Sequence, residues 1–193
     1  MAARHQGVEL DMVFKPFSFL TLEALASIAD WEWIKPASAS FFDDNGVLID
    51  EQKFDPTGIK VGDAAQRSYS GSIRIEPFKR TYLKAQYNYF THNYANFNPE
   101  DYEISNNETG WGPNLGRQAW RMPDYGFMDA LVGYTFFWKD MKFDLRGMVM
   151  NVFDDFAITD AQNNDIGSGF NAASASVNVA MGRRWVASVT LSF

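Results

Sequence analysis

The chain is 193 residues long, contains no cysteine and carries a formal net charge of -7. The length suffices for one domain with a sizeable core, while the missing cysteines exclude a disulfide framework, a thiolate zinc site and a thiol nucleophile, and the acidic balance argues against the basic footprint of a nucleic-acid binder. Aromatic residues are abundant, with 17 Phe, 8 Tyr and 6 Trp, yet mean hydropathy is only -0.28, a combination suited to strands that are greasy on one side and joined by polar loops.

Met1 to Leu10 has no apolar stretch of signal-peptide type. The first run puts Val8, Leu10, Met12 and Phe14 on one face and Gly7, Glu9 and Asp11 on the other, which predicts a strand of period two. Lys15 to Ser18 turns tightly, and Leu20, Leu22, Ala24, Ala26 and Ile28 resume the apolar face, with Thr21, Glu23 and Ser27 opposite and Leu25 as an exception, up to Trp31 and Trp33. The same residues interrupt the longest apolar run, Leu20 to Ala29, so no helical membrane span is predicted. From Pro36 to Gln66 the chain reads as a long, acidic, irregular connection.

A third strand sets Tyr69, Ile73 and Ile75 against Ser68, Ser70, Ser72, Arg74 and Glu76, and Pro77 to Arg80 turns. The fourth sets Leu83, Ala85, Tyr87 and Tyr89 against Lys84, Gln86 and Asn88, and opens into a long connection from Thr91 to Pro123. A fifth strand, Met128 to Phe136, turns at Trp138 to Met141 into a sixth, Lys142 to Val152; a third long connection runs around Ala157 to Gly169. The last stretch, Phe170 to Phe193, alternates twice, through Ala173, Ala175, Val177 and Val179 and then through Trp185, Ala187, Val189, Leu191 and Phe193, which predicts a closing hairpin turned at Met181 to Arg184.

The expected fold is therefore all-β with about eight antiparallel strands, each near the length of a tilted bilayer-crossing strand. A soluble sandwich shares this alternation. Three features favour a transmembrane barrel: the last strand's polar parity is Ser and Thr rather than Lys and Glu, the chain stops on an aromatic, and short turns near 16, 78, 139 and 182 alternate with long polar connections. In such a barrel Val8, Leu10, Leu22, Ile73, Leu83, Val132, Val177, Val189 and Leu191 face lipid, and Glu9, Asp11, Glu23, Arg74, Lys84 and Arg146 face a wet interior.

Four stretches then read as a set: MPDYGFMDALVGY (Met122 to Tyr134), MVMNVFDDF (Met148 to Phe156), DAQNN (Asp160 to Asn164) and MGRRWVASVTLSF at the end. Their order and spacing resemble the C-terminal end of TonB-dependent outer-membrane receptors, in which a Pro-x-Tyr-x-x-x-Asp strand, an Asn-Leu-Phe-Asp strand end and a C-terminal aromatic recur. Val152 stands where Leu is usual and Phe156 where Tyr is common. Gly7-Val8-Glu9-Leu10 resembles an internal barrel strand of that family, and Val61 to Ala65 a loop end, so the resemblance covers nearly all of residues 1–193.

Receptors of this family close 22 strands around an N-terminal plug, and neither the plug nor the TonB-contacting segment ahead of it is encoded here. The resemblance thus implies the C-terminal portion of a larger barrel in the outer membrane of a Gram-negative bacterium. It further implies uptake, energised through TonB by way of that plug and segment, of a scarce nutrient such as a siderophore, corrinoid or oligosaccharide. Phe193 resembles the signal read by the barrel-assembly machinery, and outer-membrane lipid is the implied surrounding. A self-contained eight-stranded barrel of structural or adhesive role is the alternative.

No catalytic, metal or cofactor constellation emerges. Asp154, Asp155, Asp160 and Asp165, with Asn163 and Asn164, miss the EF-hand spacing at its Gly and terminal Glu, so a solvated acidic loop is expected. Gly167-x-Gly169 lacks the context of a dinucleotide loop, Asn107-Glu108-Thr109 is a sequon by pattern only, and His5 and His92 lie at strand ends without a serine nucleophile. In the second long connection Tyr94, Phe97, Tyr102, Trp111 and Trp120 crowd beside Asn residues and Arg117. They read either as loop packing and an aromatic girdle or, for Trp111, Trp120, Arg117 and Tyr102, as contacts for a small-molecule or glycan ligand.

Overall fold

The computed structural model describes residues 2–97, 118–162 and 175–193. Among them the regular structure is entirely β, in eleven strands. Seven form the main sheet: β1 (Ala3–Phe17), β2 (Leu20–Trp33), β5 (Arg67–Ile75), β6 (Thr81–Thr91), β7 (Tyr125–Trp138), β8 (Met141–Met150) and β11 (Arg184–Ser192), ordered β1-β2-β5-β6-β7-β8-β11. Every neighbouring pair is antiparallel. The remaining four make two small hairpins inside long connections, β3 (Ala37–Phe42) with β4 (Leu48–Phe54) and β9 (Ile158–Gln162) with β10 (Ser176–Val179).

The register aligns the sequence parities across the whole sheet. One row runs Phe14, Leu22, Ile73, Ala85, Ala130, Val149, Trp185, each opposite the next. The opposite face carries Val13, Glu23, Ser72, Gln86 and Asp129 in the adjacent row. Because a one-residue slip in any strand would exchange its two faces, this continuity over seven strands specifies the register. The apolar face is open: Val8 is 73% exposed, Leu83 48% and Val189 67%. Among the described residues the buried apolar side chains are Phe54, Ile59, Ala95, Ala119, Met122, Ala157 and Ala161, all in the connections; no protein layer lies on the sheet's apolar face.

Three expectations are corrected here. The main sheet has seven strands rather than about eight, and the final stretch is not a hairpin. β11 pairs with β8 from Arg184–Met150 to Ser192–Lys142, whereas β10, with Val177, pairs with β9. Val177 therefore leaves the predicted apolar sheet face, and the bend at Met181 to Arg184 is a descent from a long connection rather than a short turn. The physical reason is partner choice: alternation marks a strand but not its neighbour, and β8 offers β11 a ladder along its whole length. The first connection also contains the β3–β4 hairpin in place of irregular chain.

The remaining alternation holds. Short turns join β1 to β2, β5 to β6 and β7 to β8, with Arg80 and Lys139 in left-handed conformation (φ 65° and 55°), while the described residues of the connections 34–66, 92–124 and 151–183 lie at the opposite end. β1 and β11 both run from the long-connection end towards the turn end, and each leaves one edge unpaired.

Candidate functional site

Three of the four recognisable stretches of sequence converge on one corner at the top of β7, β8 and β11. Asn151, the residue after β8, adopts φ 51°, a conformation that Asn tolerates better than most side chains. Its backbone N–H donates to Asp129 Oδ1 at 2.9 Å, its Nδ2 donates to Asp155 O (2.9 Å) and Met181 O (3.4 Å), and its Oδ1 accepts from Asp155 N at 2.9 Å. Asp154 Oδ1 accepts from Arg183 N at 2.6 Å. Hence Asp129 of the first stretch, the Asn and Asp residues of the second, and the Met and Arg of the last form one junction around the buried Asn151 that steers the chain back into β11.

Above the sheet the connections form a cap with two small cores. Phe54, Ile59 and Ala119 gather Trp33, Ala37, Ala39, Tyr94 and Phe97; Ala95, Met122 and Ala161 gather Trp120 and Ile158. Carboxamides staple the cap where strand ladders stop. Gln66, 3% exposed, accepts from Trp31 N and donates to Trp31 O and Val61 O, while Gln118 accepts from Lys60 N at 2.7 Å and donates to Gly58 O at 3.0 Å. Asn93 Nδ2 donates to Thr159 O at 2.9 Å and ties the second connection to the third.

Beneath the cap, the polar face carries a hydrogen-bonded band. Glu23 Oε2 accepts from Ser72 Oγ (2.6 Å) and Lys84 Nζ (2.7 Å), Gln86 donates to Ser70 and Asn88, and Asp144 pairs with Thr135 and Lys142. Arg74 lies 4.1 Å above the Tyr82 ring, and a Cβ on Gly133 would collide with that ring, so the glycine makes room for the aromatic. Asp11, Glu23, Leu25, Ser70, Ser72 and Gln86 line a groove of about 320 Å³. A second, of about 440 Å³, runs under the Asn151 corner between Asn88, Asp129 and Met181. Both grooves are open to solvent.

A charged rim crowns the apolar face. Arg4 pairs with Glu32 at 2.6 Å, Lys60 with Asp30 and Glu32, and Arg121 with Asp124 at 3.2 Å. Arg121 Nη2 also reaches Thr91 Oγ1 at 3.3 Å, and that hydroxyl is 3.0 Å from His92 Nδ1. Burial, then the positive charges of Arg121 and Arg67, hold the His92 imidazole below its ordinary range against the pull of Asp124. Desolvation pushes Asp124 up, but hydrogen bonds from Thr91 and Arg121 outweigh it and hold the carboxyl below the usual range.

Of the sequence-derived candidates, Trp120 is half-buried against Ala95, Met122 and Ala161, and Phe193 is fully exposed at the turn end beyond β11. Trp111, Arg117 and Tyr102 lie outside the described residues, as do Asn107, Asn163, Asn164, Asp165 and Gly167. Asp154 and Asp160 are engaged by Arg183 N and Asn178 Nδ2, and the His5 ring lies tilted against Trp31 at 5.2 Å. Sequence reasoning passed over the staples Gln66, Gln118 and Asn93, whose bonds join distant segments. It also passed over Arg67, although extending period two from Tyr69 places that charge on the apolar parity.

No family model and no curated protein matches the chain. Among solved structures it is similar to the ferric yersiniabactin uptake receptor FyuA from Yersinia pestis, with 17% identity and a TM-score of 0.56 over 98% of this chain and 23% of that one. At that identity the likeness is one of fold, and the chain spans about a quarter of that receptor's length.

Proposed function

We propose that the chain forms part of the wall of an outer-membrane uptake receptor energised through TonB. The observation that carries this reading is the apolar parity that continues across seven strands without a protein layer over it among the described residues. A soluble sheet leaving that much apolar surface in water would be an aggregation hazard, whereas lipid supplies the missing layer. Long connections at one end, polar rows on the other face and the fold likeness to a segment of an uptake receptor support it further.

An independent eight-stranded barrel fits less well. With seven strands in sequence order, β1 and β11 point the same way, so joining them would make a parallel pair in an otherwise antiparallel wall, and bacterial barrels of this type have even strand numbers. Further strands, about fifteen if the total is 22, then complete the wall, and a plug supplied by the rest of the receptor links it to TonB. In this reading the chain is a transport wall, not an enzyme; its polar rows face a small-molecule or glycan nutrient, Trp120 stiffens the cap, and the exposed Phe193 presents β11 to the barrel-assembly machinery.

The test is uptake of labelled ferric siderophore, corrinoid and oligosaccharide by cells that hold the intact protein, with and without TonB. One class should enter only when both are present, and residues 1–193 alone behind a signal peptide should restore none. A monomeric, heat-modifiable barrel made of residues 1–193 that restores uptake, or an intact protein recovered in the soluble fraction, overturns the proposal.

A further inference from the structure

Arg67 is the first residue of β5 and shares the parity of Tyr69 and Ile73, so it stands on the apolar side of the sheet. Its Nε is buried with no hydrogen-bond partner among the described residues. Every neighbouring charge on the rim is already engaged: Asp30 and Glu32 by Lys60 and Arg4, Asp124 by Arg121. A half-buried guanidinium with an unmatched donor is costly, and its planar fork of donors suits phosphate.

The surroundings favour the same ligand. Thr91 sits directly across the ladder from Arg67 and is 7% exposed, and Arg121 Nη2 lies 3.3 Å from its hydroxyl and 3.2 Å from the Asp124 carboxylate that both residues also hydrogen-bond. Arg67, the Thr91 hydroxyl and the Arg121 guanidinium therefore meet at adjacent positions of one rim, just above a row of tyrosines in which Tyr69 and Tyr89 stack at 6.5 Å. From Ile75 to Arg67 is about 26 Å along the strand and, at a tilt of about 40°, about 20 Å of height. With Phe78 below Ile75, Arg67 comes at the upper margin of an apolar band about 25 Å tall, where tyrosine girdles and lipid headgroups meet.

We propose that Arg67, with Arg121 and the Thr91 hydroxyl, binds the phosphate of a membrane lipid headgroup in the leaflet on the long-connection side. The proposal rests on the membrane-wall reading above. Charge complementarity and continuity with the apolar band commit the site to a lipid: a lipid's chains lie along Tyr69, Tyr87 and Tyr89 while its phosphate meets the guanidiniums, and a free phosphate ion gains only the second of these contacts.

The experiment takes the intact protein from its native membranes into nanodiscs containing either a phosphate-bearing lipid or a lipid with the same chains and an uncharged headgroup. Retained lipid is counted by native mass spectrometry, and heat-modifiable migration is followed in parallel. The wild type should retain the phosphate-bearing lipid at least about tenfold better than the uncharged one. Arg67→Gln should abolish that preference and Arg121→Gln should weaken it several-fold, while Arg80→Gln, a charge loss at the turn end, should leave it intact. Inorganic phosphate at about 10 mM should not displace the lipid.

Equal retention of both lipids by a heat-modifiable wild type overturns the lipid site and leaves the membrane reading standing. So does unchanged retention in both Arg67→Gln and Arg121→Gln, the latter an exposed position that keeps the second variant folded if the first fails. Displacement by inorganic phosphate replaces the lipid with a free-anion site. A wild type that neither enters nanodiscs nor shows heat-modifiable migration overturns the membrane reading and this site with it.

Discussion

Asn151 shows how much one residue does here. Its left-handed backbone and four hydrogen bonds hold β7, β8 and the approach to β11 together. Asn151→Ala keeps the strained φ and removes the side-chain bonds, so it should lower stability by about 2–4 kcal/mol, read from the denaturant midpoint of the protein in lipid; a change below about 0.5 kcal/mol, the size of an ordinary surface substitution, counts against the junction. His92 gives a pH prediction. Arg67 from β5, together with Arg121 and Asp124 from the second connection, surrounds the imidazole, and the net effect with burial is a folded proton affinity below that of the unfolded chain. The unfolded state therefore binds more protons as pH falls through the imidazole range, so this contribution to stability is present above that range and lost below it. The unfolding midpoint should drop between about pH 7.5 and pH 5.5, and His92→Gln should flatten that slope; an unchanged slope assigns the effect elsewhere. The contribution of Asp124, whose carboxyl is depressed, disappears only at more acid pH, below the ordinary carboxylate range.

At the scale of strands, the two faces should respond oppositely to charge. Ile73→Arg, in the middle of the apolar face of β5, should cost about 2–4 kcal/mol and reduce the amount of assembled protein. Thr190→Lys, across from Asp144 on the polar face of β11, should stay within about 0.5 kcal/mol of the wild type. Equal penalties at both positions would contradict the assignment of faces. These faces were legible in the sequence, because period two needs only local residues: the parities of β1, β2, β5, β6 and β11 and the exception at Leu25 stand as read, and Leu25 lies opposite Asp11 and Ser70. Partner choice was not legible. Val177 and Val189 alternate alike, yet one belongs to a cap hairpin and the other to the main sheet, since what separates them is the ladder β8 offers and the Asn151 corner, both remote in sequence. The staples of Gln66 and Gln118 and the rim around Arg67 were hidden for the same reason, each being made by segments more than about twenty residues apart, beyond any local period.

For the whole molecule, the strand order gives a direct test. Cysteines replacing Leu145 and Val189, which lie opposite each other, should form a disulfide in the intact protein, whereas cysteines at Val177 and Val189 should not; the reverse result restores a closing hairpin. The contrast between ladder and staple then bears on time rather than shape. Seven strands share a continuous run of backbone bonds, so their amides exchange with solvent only through rare openings of the sheet. The cap above them depends on a few carboxamide side chains and two clusters of a handful of residues, and it opens at much lower free energy. Deuterium should therefore enter in two waves, first into the connections around Gly58, Val61 and Thr159 and much later into β5, β6 and β7. In the proposed receptor, a roof that breathes often over walls that hardly move would let a solute be admitted or refused at the entrance without the wall yielding anywhere along its height.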